Sequence, residues 1–150
     1  MQDYEVIDAH VHLWRTIEQE CAALPLPGRR DVDRWGTPEG ALRLMDRCGI
    51  SRAVFLNVLP TVEMMAAGRS RLPSDLDADA RAAAEEELRR KMADRVARQN
   101  AWACEVGAAH DRLVPFIGVQ AMLGRDLVEN EVRLGHANGA KGVKIQPGMN

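Results

Sequence analysis

Cysteine, excess charge of either sign and long apolar runs are all scarce in this chain, and each scarcity removes a class of protein. The three cysteines among 150 residues, Cys21, Cys48 and Cys104, form an odd set without the paired spacing of a zinc knuckle or a disulfide framework. They read as free thiols in a reducing compartment, so a cytoplasmic location is expected. Net charge is −2, from 20 Lys and Arg against 22 Asp and Glu, which lacks the basic excess that suits nucleic acid or an anionic membrane. No apolar run approaches the roughly 20 residues that cross a bilayer, and no basic-then-apolar leader opens the sequence. A small-molecule substrate is the expected partner, with neither nucleic acid nor membrane.

What the chain does have is a regular alternation of patterns. Apolar strand candidates fall at 5–12, 52–59, 113–120 and 142–146, separated by helix candidates at 38–48, 75–109 and 125–137. Strand and helix in strict turn imply βαβ units and a parallel sheet, within a single α/β domain. Punctuation supports the helices. Thr37-Pro38 offers an N-cap followed by proline at the first helical position, and Ser74 can cap the second helix. Gly49 and Gly139 stand where a left-handed terminal residue is wanted. The second helix is long enough that a break near Gln99 or Asn100 is expected. Its charged cluster from Glu85 to Lys91 reads as a solvated face.

The connections differ in length. Helix-to-strand joins are tight, whereas the strand-to-helix joins Leu13–Gly36 and Pro60–Pro73 are long. In parallel α/β folds the working loops follow the C-terminal ends of strands. Val62, Glu63, Met64 and Met65 in the second loop read equally as a substrate lid, local packing or disorder. Trp14, Leu24, Leu26 and Trp35 read either as a pocket wall or as anchors of the first loop.

Chemistry concentrates at the end of the first strand, in Val6-Ile7-Asp8-Ala9-His10-Val11-His12-Leu13-Trp14. Alternation puts Val6, Asp8, His10 and His12 on one face and Ile7, Ala9 and Val11 on the other, with the two imidazoles about 7 Å apart along the strand. Two neutral imidazoles at a strand end can hold a divalent ion, and satisfied or surface histidines show the same spacing. The other histidines, His110 and His136, lie near helix C-termini at the opposite end of the sheet, where imidazolium complements the helix dipole. Near the ends of strands two and four, Asn57, Lys144 and Gln146 are candidate substrate contacts, as is Trp14. For Lys144 an ion pair with an inward Asp8 is a second possibility.

The Ile-Asp-Ala-His-Val-His-Leu-Trp segment resembles the first strand of the amidohydrolase superfamily. Gly139-Ala140-Lys141-Gly142-Val143-Lys144-Ile145-Gln146-Pro147 is similar to the fourth strand of its amidohydrolase-related branch, which includes lactonases and decarboxylases. The resemblance implies the N-terminal half, about four βα units, of a (β/α)8 TIM-type barrel with long βα loops. It also implies a divalent metal, often zinc, with His10 and His12 as two ligands and the remaining ones on later strands. In some branches of the superfamily a carboxylated lysine at the position of Lys144 bridges two metals. The implied activity is metal-dependent hydrolysis of a small amide, lactone or related carbonyl compound by a metal-activated water. Non-oxidative decarboxylation at the same site is the alternative. A third possibility is a non-catalytic half-barrel that forms a homo-oligomer through its open strand edges.

Overall fold

The apolar runs become strands, each returning through a helix. A computed structural model describes residues 4–23 and 35–145. In chain order its elements are β1 (Ile7–Val11), α1 (Ile17–Ala23), α2 (Pro38–Cys48), β2 (Arg52–Leu56), α3 (Thr61–Arg69), α4 (Ala78–Ala109), β3 (Leu113–Gly118), a 3-10 turn (Ala121–Leu123), α5 (Arg125–Ala137) and β4 (Gly142–Lys144). The strands form one parallel sheet in the order β1-β2-β3-β4. Parallel neighbours need crossovers, and right-handed crossovers that always step in one direction put the helices on one face.

Burial follows that rule. Ala53, Phe55, Leu113 and Ile117 are no more than 1% exposed and pack against α2, α4 and α5. Val54, Val114 and Phe116, alternating with them, are only half-buried. The sheet therefore has a covered face and an open one. The tails of the apolar runs also pack on helices: Leu59 against Met65, Met92 and Val96, and Val119, whose N–H still donates to Lys144 O at 3.2 Å, against Cys104.

Local punctuation acts largely as expected. Thr37 accepts the Gly40 N–H at 3.1 Å, with Pro38 in the first turn of α2. Gly49 ends that helix at φ 68°, a conformation that costs a side-chain-bearing residue about 1 kcal/mol or more. Gly107 lets α4 lie directly on Pro115 of β3, where a Cβ would collide with the proline ring. The charges from Glu85 to Lys91 do form a solvated face of pairs at i, i+3 and i, i+4. Within it, the Arg90 guanidinium holds the Glu87 carboxyl down to about 2.

Three expectations are corrected. The cap of α4 is Asp77, whose Oδ1 accepts the Ala80 N–H at 2.8 Å, rather than Ser74. The Pro60–Pro73 segment contains α3, because Met65 buries itself against Met92 and Val96 of α4. And α4 runs unbroken through 32 residues, because the Asn100 side chain bonds outward instead of to its own helix. Asn100 Oδ1 accepts the Gly118 N–H at 2.9 Å, and its Nδ2 donates to Gly118 O at 2.9 Å and to Glu131 Oε2 at 2.8 Å. Asn57 Nδ2 donates to the same Oδ1 at 2.7 Å. One buried amide thus ties together α4, α5, the last residue of β3 and the residue that follows β2. Among the described residues no helix is long and apolar enough to cross a membrane.

Replacing Asn100 by Ala strands both backbone groups of Gly118 in a buried site, which costs roughly 3 kcal/mol. Urea denaturation should show that loss as a lower midpoint at unchanged slope; an unmoved midpoint would mean that the amide is not the tie described.

Candidate metal centre

Strict alternation would align Asp8 with both histidines, but β1 does not alternate strictly. Asp8 pairs with Ala53 and Val11 pairs with Phe55, so β1 uses one more residue than β2 over the same span. This is a β-bulge, the device that re-aims side chains beside sites. Val11 consequently packs with Ala53 and Phe55 on the helix side. Asp8 stands in register with Ala53, which is buried under the helices, and so shares its face of the sheet. The expectation of an inward Asp8 is thereby overturned. A bulge leaves a backbone donor without its ladder partner, and here the Asp8 carboxylate takes it: the His10 N–H donates to Asp8 Oδ1 at 3.0 Å.

Beyond the bulge the two imidazoles converge. Their Nε2 atoms lie 3.1 Å apart, with ring centroids 4.8 Å apart and planes at 88°. His12 Nδ1 is 2.9 Å from the carbonyl oxygen of Leu56, the last residue of β2. A carbonyl oxygen can only accept, so the proton of neutral His12 is on Nδ1 and the Nε2 lone pair faces His10. His10 is exposed and His12 half-buried. The spacing is close to that of a shared cation, since two nitrogens bound to one tetrahedral zinc at about 2.0–2.1 Å lie roughly 3.3–3.4 Å apart. A ring N–H given to a backbone carbonyl is also the usual support of a metal-bound histidine. Among the described residues no group of three or more His, Cys, Asp or Glu gathers at one point.

Next to the pair, the C-terminal ends of β1 and β2 open into a cleft of about 580 Å³ bordered by His12, Trp14, Arg15, Leu59, Met64, Arg95 and Gln99. Asn100 fixes how α4 reaches it. Because Asn100 is tied to the end of β3, the preceding part of α4, residues 78–99, continues roughly 33 Å beyond the sheet at 1.5 Å per residue. Arg95 and Gln99, one turn apart, therefore stand at the rim.

The other candidates are distributed as follows. Trp14 borders the cleft, its backbone N–H held by Gly36 O at 2.7 Å. Asn57 is 3% exposed and faces α4, where its amide serves Asn100; it is a strut rather than a cleft-lining group. Lys144 pairs in register with Gly118, is half-buried, and has no ion pair among the described residues, so the expected link to Asp8 does not form. Gln146, Leu24 and Leu26 lie outside the described residues. Trp35 lies beneath Arg47, 5.3 Å from the guanidinium to the ring, and borders a cavity together with Trp14 and His12. His110 caps α4 and His136 sits in the last turn of α5, away from the pair, as expected. Sequence reasoning missed Arg15 and Arg95. The signal for Arg95 was available: its helical neighbours Lys91, Met92, Arg98 and Gln99 include no acid.

The tautomer gives a direct check. Long-range nitrogen–proton NMR of neutral His12 should show the proton on Nδ1. A majority of the Nε2–H form, which predominates in free imidazole side chains, would contradict the Leu56 contact. Scans against protein-family models, curated proteins and solved structures return no match for this chain.

Proposed function

We propose that this chain forms about half of a (β/α)8 barrel and contributes part of the metal centre of a hydrolase for a small amide, lactone or related carbonyl compound. The observation that carries the proposal is the His12–Leu56 bond. It leaves one Nε2 lone pair directed at a second Nε2 at 3.1 Å. Support for the barrel comes from a sheet whose order never reverses and whose helices cover one face only, since the bare face needs a further wall. Support from the sequence is the resemblance of the His-x-His strand to the amidohydrolase superfamily.

In this reading His10 and His12 hold a divalent ion such as zinc, while the Leu56 carbonyl fixes the ring of His12 and Asp8 fixes the backbone of His10. A bound ion of this kind brings the pKa of its water toward neutrality and polarises a carbonyl. Catalytic zinc takes three protein ligands, so at least one further ligand comes from outside the described residues. Trp14, Leu59 and Met64 give the substrate apolar walls and limit competing water. Activity accordingly belongs to the completed barrel.

Calorimetric titration of the chain with zinc should show binding that His10→Ala and His12→Ala each weaken by at least about tenfold. A Cys21→Ser/Cys48→Ser background should leave the binding unchanged. Zinc affinity indifferent to both histidine substitutions removes the metal centre. In a chain extended to the full barrel, hydrolysis of a lactone and amide panel should be lost with either histidine. Release of carbon dioxide from carboxylated substrates instead would replace hydrolysis by decarboxylation.

A further inference from the structure

The cleft beside His12 is electrostatically one-sided. Among the described residues its border includes Arg15 and Arg95, and no carboxylate. Arg52, Arg69, Arg89, Arg90, Arg112 and Arg125 each have an acidic partner, whereas other arginines such as Arg43, Arg71 and Arg98 have none among the described residues. Arg15 and Arg95 likewise have none among the described residues. Arg89 and Arg90 find Glu86 and Glu87 three residues away, whereas the same positions around Arg95 hold Met92 and Arg98, with Lys91 and Gln99 at four. Like charges at helical spacing are destabilising unless a counter-charge is supplied.

Arg15 is nonetheless held in place. Its guanidinium donates to Arg98 O at 3.3 Å and lies 5.2 Å over the Trp102 ring. A stacked, hydrogen-bonded and un-neutralised guanidinium retains donors for an anion, and its planar fork matches a carboxylate. The remaining border supplies apolar surface from Trp14, Leu59 and Met64. Inorganic phosphate would leave that surface empty.

We infer that this cleft takes an organic carboxylate, with Arg15 and Arg95 meeting the charge and Trp14, Leu59 and Met64 meeting a compact apolar body. The inference deepens the hydrolase reading by naming its substrate class, and depends on that reading only for the chemistry that follows binding. It makes Arg95 a specificity residue for acids over neutral analogues.

The test is a titration of the chain, kept metal-free by a chelator, with benzoate, benzamide and inorganic phosphate, followed through the Trp14 indole N–H signal. Benzoate should bind roughly tenfold tighter than benzamide and than phosphate, as expected for a charge-assisted contact to a guanidinium. Arg95→Gln, an exposed change that should leave thermal unfolding unaltered, should erase most of that preference while benzamide affinity stays constant. Arg15→Gln should do the same, with circular dichroism checking that Trp102 keeps its packing. Equal affinity for benzoate and benzamide, binding of none of the probes, phosphate binding as tight as benzoate, or an unchanged preference in Arg95→Gln would each overturn it. A benzoate preference in a chain that fails to bind zinc upholds this inference and removes the metal centre. Zinc binding without that preference does the reverse.

Discussion

One hydrogen bond between neighbouring strands, from His12 Nδ1 to the Leu56 carbonyl, decides what the mouth of this sheet can do. It consumes the donor of a neutral imidazole and leaves the other nitrogen as a lone pair. It also ties that lone pair to the end of β2, an element buried under α2 and α4. The bulge in β1 supplies the second condition. Without the extra residue, Asp8 and the histidines would share a face and the acid would crowd the pair. With it, Asp8 turns to the helix side and its carboxylate satisfies the backbone donor that the bulge frees. Convergence of the two Nε2 atoms at 3.1 Å follows from both.

The scaffold behind the pair is organised by a single amide. Asn100 bonds both backbone groups of Gly118, the carboxylate of Glu131 and the amide of Asn57, all of them buried. Buried polar groups in such a site are costly unless satisfied, and once satisfied they specify one arrangement. The arrangement specified here sets the axial position of α4 against β3. That position carries Arg95 and Gln99 past the strand ends to the cleft, so the core network and the charge of the cleft are two consequences of one register.

Much of this was legible in the sequence because it is written locally. Thr37-Pro38 and Gly49 bound α2 through capping and a left-handed backbone, and the turn-by-turn exchange of strand and helix patterns implied the parallel sheet. His10 and His12 were visible as a pair at a strand end. The bulge was not visible, because two-against-one pairing depends on the register of β2, far along the chain. Nor was α3, whose one buried methionine stripe packs on a partner 27 residues away at Met92. Asn100 looked like a helix breaker, since an asparagine competes with its own backbone unless a neighbouring strand offers better partners. Arg15 and Arg95 were hidden for a different reason: only the fold brings these two residues, far apart in the sequence, to the border of one cleft.

The sharpest test of the paired imidazoles is X-ray absorption at the zinc edge on the zinc-loaded chain. Two imidazole nitrogens at about 2.0–2.1 Å, with the outer-ring scattering of histidine, are expected. Sulfur scatterers near 2.3 Å in place of imidazole would assign the ion to the cysteines and contradict a centre built on His10 and His12.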